Sequence, residues 1–199
     1  ACQYSCRFFA NSIPHIRAIG VNPDEPLAMT RELIEYGIRE VLVIGGDAPR
    51  DFSRPVYPST TISVIRKLKQ ELPHLKVYAG TDPYRDSIRR ELLYNKMKLD
   101  AGADGFFTQP FYDIRLMEIY AELLADVPVF WGVSPVLSPE SRLYWETKNS
   151  VIFPKDFSPT LEWNRSFASL VLEFIDTRGH HAYFMPIREN IRKYLTGIL

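Results

Sequence analysis

Six short apolar runs, separated by longer segments of helical periodicity, constrain the fold of this chain most strongly. The runs are rich in β-branched and aromatic residues, and most are continuous apolar stretches, as in strands that are covered on both faces. They predict strands at 14–20, 40–46, 76–80, 104–109, 127–132 and 182–187. The alternation of strands with helices indicates βα units around a parallel sheet.

The segments between the strands carry helix start and stop signals. One helix is predicted to begin with Asn22 as its cap, Pro23 in the first turn and Glu25 in a capping box, and to end at Gly37. Two more are predicted from the apolar periodicity of 60–72 and 158–179. These amphipathic helices are expected to cover the sheet.

Length and charge exclude several classes of protein. With 199 residues, 46% of them hydrophobic, the chain is expected to form one domain, an irregular start at 1–13 followed by barrel units over 14–199. Lys plus Arg equals Asp plus Glu at 24 each, so no net charge attracts nucleic acid or an anionic membrane. Without an apolar run of about 20 residues or a secretory signal, a cytoplasmic protein is expected.

Cys2 and Cys6 lack a second Cys/His pair nearby, so free thiols and no metal are expected.

Polar residues at the ends of successive strands decide between two architectures. Six βα steps fit either an open doubly wound sheet or most of a TIM-type (β/α)8 barrel, and the chain has no glycine-rich nucleotide-binding turn. The strand-end residues are His15, Arg17, Asp47, Thr81, Asp82, Thr108, Gln109, Ser134 and Arg188. In a barrel these side chains would meet at one mouth, where active sites are built, so the pattern favours an incomplete barrel with about six visible βα units.

Taken singly, these residues have structural explanations as well. His15 could be a buried histidine with a satisfied hydrogen bond, Asp47 could cap the next turn, and Gln109 could bond a neighbouring loop. Only their joint placement points to a site.

Three motifs carry a resemblance to a known family. They are "VLVIGGDAP", "KMKLDAGADGFFTQPFYD" and "FWGVSPVLS", and they follow one another in the order found in the methylenetetrahydrofolate reductases. The resemblance runs from about Pro14 to the C-terminus. It implies a flavin-dependent βα barrel of one-carbon metabolism. Such enzymes pass a hydride from NADH or NADPH to FAD, and then to 5,10-methylenetetrahydrofolate, which becomes 5-methyltetrahydrofolate.

The resemblance also implies roles for individual residues. Asp47 matches the catalytic aspartate between the flavin edge and the pterin. The cofactor-binding set is His15, Gly46, Asp47, Tyr57, Tyr78 and Lys98, and the substrate-binding set is Gln109, Thr108, Trp145 and Arg188. Gln109 would bond the pterin, whose mixed edge an amide suits, while Phe111 and Tyr112 would wall the pocket and Asp113 would cap the next helix.

Three departures from the family pattern bear on activity. Gly45 stands where the family has an arginine in contact with flavin, and Ser141 replaces a glutamine that grips folate. No residue before Asp24 supplies the general acid of the family's first strand. The first two βα units are therefore expected to be absent or not represented, and the chain as written is expected to be a poor reductase. An incomplete barrel would leave two edge strands unpaired, so either the sequence omits residues or another element or chain, such as a second copy in a homo-oligomer, is expected to close the gap.

Two further functional hypotheses follow from these departures. One is a flavin-free folate-binding protein of the same fold, serving as a methyl carrier or accessory subunit. The other is a barrel remnant that acts only in assembly. The sequence leaves the choice between NADH and NADPH open.

Overall fold

The computed structural model describes residues 2–47, 49, 51, 53–187 and 189–199. Its strands are β1 His15–Arg17, β2 Glu40–Ile44, β3 Lys76–Thr81, β4 Gly105–Thr108, β5 Val129–Val133 and β6 His181–Phe184. Its α-helices are α1 Cys2–Ser5, α2 Thr30–Glu35, α3 Thr61–Glu71, α4 Ile88–Asp100, α5 Ile114–Leu123, α6 Pro139–Lys148, α7 Leu161–Asp176 and α8 Ile191–Leu195. All six predicted strands are present, each within a few residues of its predicted bounds.

The fold is α/β with a six-stranded sheet, as predicted. The strands follow one another in chain order, β1-β2-β3-β4-β5-β6. The register is parallel between β1 and β2, between β2 and β3, and between β5 and β6. Over the described residues β1 and β6 stand at the two ends of the order, so the sheet is not closed, in agreement with an incomplete barrel.

The chain divides into two compact units. The first contains the residues up to Gly80 together with Leu93–Phe106, and the second contains Thr81–Leu92 together with Phe107–Leu199. The assignment of 1–199 to a single barrel domain stays a prediction.

The first unit is built on the three parallel strands β1, β2 and β3. Ile16 pairs with Val43 across β1 and β2, and Leu42 pairs with Tyr78 across β2 and β3. Helix α3 begins at a reciprocal cap, in which Thr60 accepts the backbone N–H of Ser63, and its buried face consists of Thr61, Val64, Ile65 and Leu68.

The second unit is rich in aromatic contacts. Trp131 on β5 lies 5.5 Å from the ring of Phe111 and 6.4 Å from that of Phe174, both centre to centre. A second buried cluster, here called the α6 cluster, consists of Tyr112, Val136, Trp145, Val151 and Phe157. Buried rings of this size supply much of the apolar area that stabilises a small unit.

The first predicted helix is wrong in its start and right in its end. Helix α2 begins only at Thr30, and the carboxamide of Asn22 accepts the N–H of Asp24, closing a turn instead of capping a helix. Pro26 explains the difference, because a proline disfavours helical backbone at the residue before it and removes an N–H. Gly37 ends the segment with φ +61°, as predicted.

Two other helix starts compare as follows. Asp113 caps α5, as predicted, by accepting the N–H of Arg115 at 3.0 Å. Helix α7 is capped by Thr160, two residues after the predicted start at residue 158. Cys6 is a free, half-buried thiol. Over the described ranges, no helix is both long and apolar enough to cross a membrane.

Candidate functional site

The loop that follows β2 carries predicted site residues that are exposed. Gly46 has φ +86°, and a Cβ built on it would lie 2.9 Å from Nε and 3.1 Å from Cβ of Arg17. A side chain at this position would therefore be strained by both its backbone and its neighbour. Gly45, Gly46 and Asp47 are all exposed, so ligand could approach the backbone here.

Arg17 ties the end of β1 to this loop. It is the last residue of β1 and pairs with Ile44 at the end of β2. Its guanidinium donates to the carbonyl oxygen of Asp47, and the N–H of Ile19 donates to the carbonyl of Gly45 at 3.2 Å. These bonds hold the end of β1 against the loop after β2. The residues that meet here are called the β2-end group: Arg17, Gly45, Gly46 and Asp47.

His15 lies two residues before Arg17 on the same strand. Its imidazole is exposed, yet neighbouring atoms remove part of its hydration and lower its pKa below the ordinary value. The ring is therefore mainly neutral at pH 7 and can both donate and accept. It lines a cleft of about 450 Å3, together with Ile16, Arg17, Met29, Leu33 and Val56 among others.

Tyr57 and Tyr78, both predicted to bind the cofactor, lie in different parts of the first unit. Tyr57 donates its backbone N–H to the carbonyl of Ile19 at 2.8 Å, which brings it close to the end of β1. Tyr78 is buried, and its hydroxyl donates to Oε1 of Glu40 at 3.2 Å. Burial, followed by the nearby Glu40 carboxylate, raises the pKa of Tyr78 to about 12. Because Glu40 begins β2 and Asp47 follows its end, the Tyr78 hydroxyl lies at the opposite end of the strand from the β2-end group.

Lys98 is engaged inside the first unit. The side chain is buried on α4, and its ammonium donates to the carbonyl of Gly80 at 2.7 Å and to Oδ1 of Asn95 at 3.0 Å. It also lies 4.2 Å from the ring centre of Tyr94. To reach a phosphate, the ammonium would have to exchange these internal partners.

Thr108 and Gln109, at the end of β4, have different roles in the second unit. Thr108 Oγ1 accepts the N–H of Gly132 at 2.9 Å, and its carbonyl accepts the hydroxyl of Tyr183. Gln109 donates its backbone N–H to the carbonyl of Thr81 at 2.8 Å. Its half-buried side-chain amide has no protein partner within the described part of the chain. Thr108 is thus part of the scaffold, and Gln109 offers a donor and an acceptor to a ligand.

The predicted aromatic residues of the substrate pocket are core residues. Phe111 and Tyr112 are each 1% exposed, and Trp145 is 4% exposed. Trp145 packs edge-to-face on Tyr112 with ring centres 5.8 Å apart, inside the α6 cluster. Phe111 and Tyr112 are therefore packed in the interior, while their role as pocket walls and the stacking role of Trp145 stay predictions. Arg188 lies outside the described residues.

A buried carboxylate was not foreseen from the sequence. Glu91 on α4 is 1% exposed and accepts from the hydroxyl of Thr81 at 3.1 Å, from the N–H of Asp82 at 3.1 Å, and from the guanidinium of Arg85. Burial raises the pKa of Asp82, and the Glu91 carboxylate adds to this effect. The sequence pattern identified Thr81 and Asp82 as strand-end residues. It gave no signal for Glu91, because a glutamate within a polar helix usually lies on a solvated surface.

Two solved structures superpose on much of this chain at low sequence identity. A 2,3-dimethylmalate lyase of the PEP mutase/isocitrate lyase superfamily superposes with a TM-score of 0.49 and 17% identity, covering 94% of this chain and 66% of that one. An oxaloacetate acetylhydrolase gives a TM-score of 0.49 at 14% identity, covering 88% and 73%.

Sequence comparisons point to one family. The reductase of Escherichia coli K12, 5,10-methylenetetrahydrofolate reductase, is 29% identical over 128 residues, 62% of this chain and 43% of the relative. The enzyme of the same name from Pectobacterium carotovorum is 25% identical over 146 residues, 71% of this chain and 49% of the relative. The chain thus matches less than half the length of these relatives.

The family model points the same way. The model described as methylenetetrahydrofolate reductase matches residues 2–166, a stretch that contains the β2-end group, Lys98, Gln109 and Trp145. On this match, the chain belongs to the methylenetetrahydrofolate reductase family.

Proposed function

We propose that this chain provides flavin-binding and folate-binding residues of a methylenetetrahydrofolate reductase. The reaction is transfer of a hydride from NADH or NADPH, through FAD, to 5,10-methylenetetrahydrofolate, giving 5-methyltetrahydrofolate. The observation that carries the proposal is the β2-end group: an exposed aspartate, a cation and a glycine of positive φ on one strand end, in a chain of this family.

The β2-end group fits a flat, anionic cofactor. The missing side chain at Gly46 makes room for the stem of Arg17, whose guanidinium presents N–H donors at this exposed strand end. We assign the cofactor to this group, with His15 on the same strand as Arg17 and with Tyr57, whose backbone bonds to Ile19 near the end of β1, as neighbours. When bound, FAD would supply a ring that accepts a hydride and passes it on. Lys98 fits less well, because its ammonium is already hydrogen-bonded to Gly80 and Asn95.

Asp47 and Gln109 are given the two substrate-directed roles. An exposed carboxylate at Asp47 would favour the cationic iminium form of the folate, since fixed negative charge stabilises positive charge where it develops. The Gln109 amide would bond the pterin edge, and the bonds of Thr108 to Gly132 and Tyr183 would hold the strand end that carries it.

The decisive experiment combines a spectrum with an assay. The purified full chain is expected to show flavin absorbance, or to gain it when FAD is added. It should then oxidise reduced nicotinamide and form 5-methyltetrahydrofolate at a low rate. Asp47→Asn should keep the flavin and slow folate reduction more than nicotinamide oxidation. A chain that binds no FAD and oxidises no nicotinamide would rule the reductase out.

Two observations favour a second candidate, a flavin-free folate-binding protein that carries methyl groups or serves as an accessory subunit. The internal bonding of Lys98 and the glycine at position 45 both weaken the case for a cofactor. Calorimetry with tetrahydrofolate separates the two. Folate affinity that is unaffected by FAD, lost in Gln109→Ala and kept in the exposed control Gln70→Ala, would support the second candidate. Binding of neither ligand would leave a role in assembly alone.

A further inference from the structure

Arg17 has more hydrogen-bonding capacity than its surroundings use. A guanidinium has five N–H donors, and one group of this side chain donates to the carbonyl of Asp47. Within the described part of the chain no carboxylate pairs with it and no second acceptor is bonded. The residue is exposed, at the carboxyl end of β1, where ligands of parallel-sheet proteins bind.

The backbone of the β2-end group is shaped around this side chain. Gly46 adopts φ +86°, and the space that a Cβ would take there is occupied by Nε, Cβ and Cγ of Arg17 at 2.9, 3.1 and 3.3 Å. The stem of Arg17 thus lies against the glycine, which limits its rotamers. A cation whose orientation is fixed before binding loses less entropy when it meets a ligand.

Gly45 presents the opposite situation. A Cβ added there meets no atom within 4 Å, and the backbone is not left-handed. A side chain could therefore be accommodated at position 45, but the chain has none. The positive charge at this strand end comes instead from the neighbouring strand, through Arg17.

We propose that Arg17 binds a negatively charged oxygen group of FAD at the end of β2, taking the place of the side chain that Gly45 lacks. The inference rests on the proposed flavin-dependent function. Two parts of FAD carry this chemistry: the diphosphate, and the ring system, which becomes anionic on two-electron reduction. Arginine suits both, since its planar fork pairs with phosphate and its charge stabilises an anionic ring.

The test measures FAD affinity of the full chain by flavin fluorescence. Arg17→Ala should raise the dissociation constant about 10- to 100-fold, the usual effect of losing a charge-assisted hydrogen bond. Arg17→Gln, which keeps the stem against Gly46, should weaken binding similarly and guards against a folding defect. Arg39→Ala, an exposed arginine just before β2, is the matched control and should leave affinity unchanged.

A double variant tests whether an arginine at position 45 can take over the role of Arg17. Adding Gly45→Arg to Arg17→Ala should restore a large part of the lost affinity; no recovery would overturn the claim that Arg17 substitutes for a side chain at 45. Equal FAD affinity in wild type and in both Arg17 variants would overturn the inference while leaving the proposed function standing. If wild type itself binds no FAD, both fail.

Ligand fragments identify the group that is bound. If the diphosphate is the partner, Arg17→Ala should weaken FAD and leave riboflavin unaffected. If the ring is the partner, the loss should appear with riboflavin as well and be larger for the reduced than for the oxidised flavin. Either pattern supports the inference and assigns the contact.

Discussion

The ends of β2 and β4 begin from the same sequence pattern and reach different states. Each apolar strand runs into small or polar residues, Gly46-Asp47 in one case and Thr108-Gln109 in the other. After β2 the residues are exposed, and a single arginine bonds to their backbone. After β4, Thr108 is 1% exposed and both its hydroxyl and its carbonyl have internal partners, which leaves only the Gln109 amide for a ligand.

The difference teaches that a polar strand end is a binding site only to the extent that the protein leaves its donors and acceptors unused. In the second unit, the buried Thr108 uses its hydroxyl and its carbonyl in bonds to Gly132 and Tyr183. In the first unit, two glycines leave the strand end open. Four substitutions test this contrast, in order of decreasing effect.

The largest effect is expected from Trp145→Ala in the α6 cluster. Removing a buried indole creates a cavity, and such truncations cost about 3–5 kcal/mol of unfolding free energy. Urea denaturation should show this loss, with the exposed Leu143→Ala on the same helix as control. Unchanged stability combined with weaker folate binding would contradict the core assignment and support the predicted stacking role of Trp145.

Thr108→Val is expected to have an intermediate effect. Valine keeps the shape but leaves the buried N–H of Gly132 without its acceptor, which costs about 1–3 kcal/mol. Thr108→Ser retains the hydroxyl and should lose much less. If thermal unfolding gave the same stability for valine and wild type, the scaffold role of Thr108 would be wrong.

Gly46→Ala should be destabilising and Gly45→Ala should not. Left-handed backbone costs an L-residue about 1–2 kcal/mol, and the new methyl group would also press on Arg17. At Gly45 the methyl group meets open space, so alanine should be neutral or slightly stabilising. Denaturation curves that show equal effects at the two glycines would contradict the described backbone of the β2-end group.

The smallest effect is a pH dependence at Asp82. Its raised pKa means that the folded state holds the proton more tightly than the unfolded state, so stability falls as pH rises from the ordinary value of 3.8 through the folded value. The facing charges are Glu91 on α4 and Arg85. Asp82→Asn, which cannot ionise, should therefore be more stable than wild type at neutral pH, with the gain vanishing below the ordinary pKa.

Asp86→Asn serves as a control of opposite sign. The pKa of Asp86 is lowered, mainly by the hydrogen bond that its carboxylate accepts from the N–H of Ser87. The stability that the Asp86 carboxylate contributes is therefore present at pH values above its ordinary pKa, and it is lost as pH falls through the lowered pKa of the folded state. Asparagine should therefore reduce stability at neutral pH. Parallel pH profiles for the two variants would refute the described environments.

Local rules were enough to predict the strands, the cap at Asp113 and the glycine end at Gly37, because each depends on neighbouring residues alone. The first helix was mispredicted for a local reason too, since Pro26 outweighed the capping signal at Asn22. The two compact units have no marker in the sequence. Composition and periodicity do not change at their boundaries.

The candidate site was harder to predict, because family position does not fix where a side chain points. The Tyr78 hydroxyl bonds to Glu40 at the start of β2, and the Trp145 side chain is buried. The directions of both side chains are set by tertiary packing. Arg17 was visible only as one of several strand-end residues. Its approach to Gly46 depends on a positive φ that no sequence pattern specifies.

Amide hydrogen exchange with and without FAD tests the contrast between the two strand ends most directly. The account predicts that FAD slows exchange in the segments containing residues 15–20 and 44–47, where the strand end is open. The N–H of Gly132, already held by Thr108, should exchange slowly in both conditions. If FAD binds without slowing exchange at 44–47, or if no segment of the chain responds to FAD, the assignment of the cofactor to the β2-end group is contradicted.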